Sequence, residues 1–110
     1  MILYKNPFKP QTLIAGDVLA YEVSGAVLAH VRACTFHNTS ENSVAIEVYI
    51  LPSNIDAPTA AAQRLVKKTL MPNESYLCPE VVNHVLEGGY KVYFKGEGCN
   101  AMLSVSEQAG

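Results

Sequence analysis

The sequence predicts an all-β fold: a single antiparallel β-sandwich, immunoglobulin-like or jelly-roll-like, of about seven or eight short strands with one short helix near residues 79–87. Three observations carry that expectation. Apolar residues recur with a period of two, the spacing that turns one side of an extended chain toward a core. Clusters of turn-forming residues punctuate those runs at short intervals. The length of 110 residues supports one core and little more, so residues 1–110 read as a single domain.

Each element follows from local pattern. Pro7 and Pro10 keep residues 1–10 extended, and Ile2, Leu3, Tyr4 and Phe8 load them with apolar surface. This segment is either an edge strand docked on its own core or an N-terminal arm reaching a neighbour. Short strands are expected at 13–15 and 18–23, split by Gly16 and Asp17. In 27–36, Val27, Ala29, Val31, Ala33 and Thr35 alternate with Leu28, His30, Arg32, Cys34 and Phe36. In 44–51, Val44, Ile46, Val48 and Ile50 alternate with Ala45, Glu47, Tyr49 and Leu51. The polar stretch 37–43 between them suggests a long antiparallel hairpin.

Pro52 and Pro58 bound a loop, and 59–63 suit one helical turn. Residues 64–71 read as a strand whose Lys67 and Lys68 fit a sheet margin, where charge opposes edge-to-edge pairing. A turn at 72–75 and a short strand at 76–77 follow. The helix rests on Pro79 at a first helical position, Glu80 at the positive end of the dipole, an apolar stripe of Val82, Val85 and Leu86, and Gly88-Gly89 as the stop. Strands at 90–95 and 101–107 complete the count.

Composition narrows function by exclusion. Asp, Glu, Lys and Arg make up 16% of the chain, against about 25% in an average soluble domain. A net charge of -2 gives no electrostatic footprint for nucleic acid. No segment approaches the roughly 18 apolar residues of a membrane helix. The first residues lack a signal peptide's basic head and long apolar middle, so the chain is expected to stay where it was made. The expected partners therefore include no nucleic acid and no membrane.

Chemistry-bearing residues are present but scattered. Cys34, Cys78 and Cys99 lie at irregular gaps without zinc spacing and read as reduced, buried small hydrophobes. His30 and Cys34 fall on one strand face, but four residues of strand hold them about 13 Å apart. His30 and His37 have opposite parity, so a metal site on one face would need a bulge. Cys78 and His84 flank the expected helix. The carboxylates fall mostly in turns, and no glycine loop opens a helix toward a phosphate. No orienting partner or oxyanion site is marked. The sequence therefore assigns no catalytic, cofactor-binding or metal residue, and predicts no cofactor and no enzyme activity. Tyr49 and Tyr93 sit opposite the more apolar faces of their strands, where they would pack against a second sheet or a neighbour. With Tyr21 and the loops, they would alternatively serve a receptor- or carbohydrate-binding module.

A further set of features lies between residues 31 and 107. These are Asn38-Thr39 after a long strand, Glu47-Val48-Tyr49-Ile50-Leu51-Pro52-Ser53, Asn73-Glu74-Ser75-Tyr76-Leu77-Cys78-Pro79-Glu80-Val81-Val82, and His84-Val85-Leu86-Glu87-Gly88-Gly89. In them the chain resembles small virion-associated structural proteins of tailed bacteriophages. The resemblance implies a non-enzymatic virion component, foremost a capsid decoration (cement) protein on the head surface, otherwise a neck or tail accessory part. It implies assembly in the host cytoplasm, residence in the virion, and partners among other virion proteins: the major capsid protein, neck or tail proteins, and copies of itself in a homo-oligomer. Contact residues would then be Ile2, Leu3, Tyr4 and Phe8 in the arm, Ile55 in the proline-bounded loop, and Tyr49 and Tyr93 on the strands. A shell offers many identical sites, so modest affinity per copy multiplies through avidity. Sparse surface charge lowers the desolvation cost of each contact.

Overall fold

A computed structural model describes residues 2–58 and 61–109. In chain order the strands are β1 (Ile2–Thr12), β2 (Val18–Glu22), β3 (Val27–Asn38), β4 (Val44–Leu51), β5 (Arg64–Leu70), β6 (Ser75–Tyr76), β7 (Val85–Leu86), β8 (Lys91–Lys95) and β9 (Cys99–Ala109). They form two antiparallel sheets, the sandwich that the period-two pattern predicts. One sheet runs β1-β9-β3, with β6 and β7 both pairing along the far side of β3; the other runs β2-β8-β4-β5. Residues 1–10 divide at the limit of the described chain, and from Ile2 onward they belong to β1, an edge strand paired with β9.

The core lies between the sheets. Phe36, Phe94, Ile46, Leu70, Leu86 and Leu103 are its largest fully buried side chains with β-branched neighbours such as Val31, Val48 and Val92. Phe94 sits at its centre, edge-on to Phe8 at 5.4 Å and to Phe36 at 4.9 Å between ring centroids. Such T-shaped pairs set the positive ring edge against the negative ring face. Phe8 is thereby a core residue, carried inward from the edge strand.

Four local expectations are corrected. The first is the hairpin: β3 and β4 lie in different sheets, so 39–43 crosses the sandwich instead of reversing within a sheet. Asn38 makes the corner. Its buried amide nitrogen donates to Asn42 O (2.8 Å) and Leu70 O (3.0 Å), while its Oδ1 accepts from the Ser40 backbone N–H (2.9 Å). A buried amide with its donors and acceptor satisfied holds a crossing that a short hairpin turn would not need.

The second is the parity of β3. Val31 pairs with Val105 and Ala33 with Ser104, leaving Arg32 as the extra residue of a β-bulge. Ala29 and Val31 point inward before it, and Cys34, Phe36 and Asn38 after it. A strict count by two places Ala33 and Thr35 with Val31; the bulge exchanges the faces. His30 and Cys34 therefore lie on opposite sides of the sheet.

The third is the helix at 79–87. Residues 79–83 are turns, and Val85-Leu86 is strand. Asn83, in the middle of the segment, takes φ +72°, which the interior of a helix does not accommodate. Its own backbone bonds are isolated turns, Val81 N to Cys78 O and His84 N to Val81 O (both 3.2 Å), and it otherwise pairs with β3: Asn83 N donates to Val31 O (2.7 Å) and Val31 N to His84 O (3.0 Å). A nine-residue segment is too short to hold a helix against such pairing. The residues that bury are Val81 and Leu86, a spacing outside the helical stripe. Gly88 and Gly89 answer close packing: a Cβ on Gly88 would meet Gly25 O at 2.5 Å, and one on Gly89 would meet Ser53 Cβ at 2.7 Å.

The fourth concerns two short pieces. Residues 13–15 form no strand, although Leu13 is buried and its backbone bonds Cys99. The helical turn expected at 59–63 is a 3-10 turn over Ala61–Gln63, with Thr59 and Ala60 outside the described residues.

Candidate interaction surface

The two outer faces of the sandwich differ in charge. On the second sheet, Glu47 pairs in register with Lys67 on one side and Lys95 on the other; Tyr49 pairs with Arg64 and Tyr93, and Leu51 with Lys91. Ions therefore crowd this face. The chain also covers much of it with its own loop. Lys91 Nζ donates to Ile55 O (3.2 Å) and the Tyr93 hydroxyl to Asp56 O (3.0 Å). Leu51 is fully buried and Tyr49 nearly so. The Tyr49 hydroxyl donates to Glu47 Oε1 (2.5 Å), which also faces Arg64 Nη1 at 3.4 Å. The Tyr49 hydrogen bond, with Arg64 and Lys95 adding to it, holds the Glu47 carboxyl below the usual carboxylate range against the opposing pull of burial. The same bond raises the Tyr49 phenol.

On the first sheet the outward rows are nearly free of ions. Tyr4, Ser106, His30 and Val85 form one row across β1, β9, β3 and β7, and Ile2, Gln108 and Leu28 form the next. Apart from the bulge residue Arg32, these rows carry no formal charge. The Arg32 guanidinium lies over the Tyr4 ring, 5.9 Å from its centroid, a cation–π arrangement. Ile2, Tyr4, His30, Arg32, Ser106, Glu107 and Gln108 line a shallow hollow there. Glu107 is committed elsewhere: its carboxylate accepts from the Tyr21 hydroxyl of the opposite sheet and from Lys5 Nζ at 3.3 Å. Burial, then that carboxylate, push the Tyr21 phenol upward. A second hollow, mostly apolar, lies at the far end of the same face among Pro10, Thr35, His37, Asn100, Ala101 and Met102.

The residues singled out as contacts thus separate into three places. Ile2, Leu3 and Tyr4 are exposed on β1, with Tyr4 at 72%. Phe8 is in the core. Tyr49, Tyr93 and Ile55 come together beneath and within the 52–58 loop. The tyrosines proposed for a sugar platform are occupied: Tyr21 by Glu107, Tyr49 by Glu47 and Tyr93 by the loop backbone. Sequence reasoning missed His30, Arg32, Ser106 and Gln108 as one group. The available signal was Arg32 itself, an ion interrupting an otherwise uncharged run of strand.

The remaining chemical groups stay apart. Among the described residues no three His, Cys, Asp or Glu side chains gather as a metal site would require. The bulge does bring His30 and His37 to one face, but about 20 Å of strand separates them. His37 Nδ1 is within 2.7 Å of Ser75 Oγ. Cys34 and Cys78 are buried side by side; the neighbouring thiol, and then burial, push Cys34 far from thiolate formation. A thiol in that state is a poor nucleophile.

The chain matches no protein-family profile and no curated protein sequence. Among solved structures it is similar to a chain of the T13 viral particle of IBDV, an icosahedral virus, with a TM-score of 0.56 at 8% sequence identity. That likeness covers 97% of this chain and 30% of the other, so the present chain spans about a third of its neighbour's length. At this identity the likeness is one of fold.

Proposed function

We propose that this protein is a structural component of a virus particle, foremost a bacteriophage capsid decoration protein that binds the head surface through repeated protein–protein contacts. The single observation that carries the reading is the outer face of the first sheet. Its rows hold Ile2, Tyr4, Leu28 and Val85, all exposed, beside uncharged polar residues and one arginine. A face so poor in ions is covered by a protein neighbour with little loss of charge solvation. The sequence resemblance to tailed-phage virion proteins supports the same role, as does the shared fold of a chain from an icosahedral particle. Copies of this chain and the major capsid protein are the proposed neighbours; a neck or tail site is the other placement within the same role.

The test is co-sedimentation of the purified protein with empty capsids and with isolated tails. Saturable binding to capsids, with a fixed number of copies per particle, is the expected result. Binding to tails alone moves the protein to the tail, and binding to neither removes the proposal.

A further inference from the structure

The hollow beside Tyr4 has a chemistry of its own. Arg32 makes no ion pair and no hydrogen bond among the described residues; its guanidinium lies over the Tyr4 ring. His30, the Ser106 hydroxyl and the Gln108 amide line the same hollow. The acid among the lining residues, Glu107, is already taken by Tyr21 and Lys5. What remains is a converging set of donors with no acceptor of negative charge.

β1, which contributes Ile2 and Tyr4 to the hollow, also carries a free strand edge. β1 pairs with β9 on one side only. Pro7 and Pro10 lack N–H groups, so the stretch able to pair as a regular ladder is residues 2–6. A strand added there would lie about 4.8 Å from β1. A long side chain on it beside Tyr4, such as a glutamate, would run along that ring toward the guanidinium 5.9 Å from its centroid.

We propose that the Tyr4–Arg32 hollow is a carboxylate-binding site that receives an acidic side chain from an extended segment of a neighbouring protein chain laid along the open edge of β1. This deepens the virion reading by naming the chemistry of the neighbour. Main-chain pairing supplies affinity in such strand addition, and a side-chain pocket supplies selectivity. Arginine suits the task because its planar fork matches a carboxylate bidentately. The rim favours a peptide over an acidic sugar. Ile2, Leu28 and Val85 are exposed around it, an apolar rim that suits the side chains of an extended peptide.

The probe is the extended peptide acetyl-Val-Thr-Glu-Thr-Val-amide, titrated into the full chain and followed by amide and histidine NMR shifts. A second titration uses the same peptide with glutamine replacing its glutamate, and a third uses sodium glucuronate. The glutamate peptide is expected to shift the amides of residues 2–6 together with His30, and to bind about tenfold more tightly than the glutamine peptide. The variant R32Q is expected to remove that difference, and added salt to narrow it. Equal affinity of the two peptides overturns the site, as does absence of any shift. Glucuronate binding without shifts in residues 2–6 overturns the protein neighbour in favour of a sugar. Each of these failures leaves capsid co-sedimentation untouched, so the site and the virion role are judged separately.

Discussion

Tyr49 and Glu47 stand two residues apart on β4 and face outward together; the expected packing of Tyr49 is met, and a carboxylate is buried with it. Their hydrogen bond is buried and charge-assisted, which makes it worth more than an exposed pair. Because the folded state lowers the Glu47 pKa, its contribution is present above the unfolded glutamate value of about 4.3. It is lost as pH falls through the folded value. Tyr49→Phe is expected to cost about 1–2 kcal/mol near neutral pH. Urea midpoints of the parent and the variant should converge on acidification toward about pH 3. A gap that stays constant with pH would mean that the phenol acts by packing alone.

Among the elements, the contrast between two touching glycines is testable. A methyl on Gly88 runs into the Gly25 carbonyl, a backbone atom that does not move aside, whereas one on Gly25 meets nothing within 4 Å. Gly88→Ala should destabilise by about 1–3 kcal/mol, and Gly25→Ala should be neutral or stabilise by up to about 1 kcal/mol. Thermal unfolding of both variants decides it; equal effects would mean that the turn relaxes freely. The same segment shows what was legible in the sequence and what was not. Strand alternation in 44–51 survives intact in β4 because a local period needs no partner to be seen. The expected helix at 79–87 does not form because its punctuation, Pro79 and Gly88-Gly89, serves turns and close approach equally well. Arg32's bulge left no local mark, so a strict count by two put Cys34 and Phe36 on the wrong side. Whether 37–43 turns back or crosses over depends on Asn38 meeting Leu70 O, a contact 32 residues away in sequence. The exposed half of the candidate surface, Ile2 to Tyr4, was readable as apolar load on an extended terminus. The half on β3 and β9 was not, because strand neighbours distant in the chain assemble it.

For the molecule as a whole, the edge strand is part of the structure that it borders. Phe8 carries β1 into the core, and removing residues 1–8 also strips β9 of a neighbour. Loss of a buried phenylalanine alone costs about 3–5 kcal/mol, enough to lower the thermal midpoint by more than about 10 °C in a domain of this size. An unchanged midpoint in the truncated chain would show β1 to be a detachable arm. Partition of charge between the two broad faces gives the molecule one side crowded with ions, Glu47, Arg64, Lys67, Lys91 and Lys95, and partly roofed by its own loop, and another side nearly free of them. The order of strands also has a consequence in time. β9 lies between β1 and β3, yet a ribosome makes it long after both. At about 5–20 residues per second, β1 waits roughly 5–20 s for the strand it pairs with. Through that interval Phe8, which the closed sandwich buries, lacks the strand it is packed beside, and the first sheet closes only once synthesis has passed residue 99.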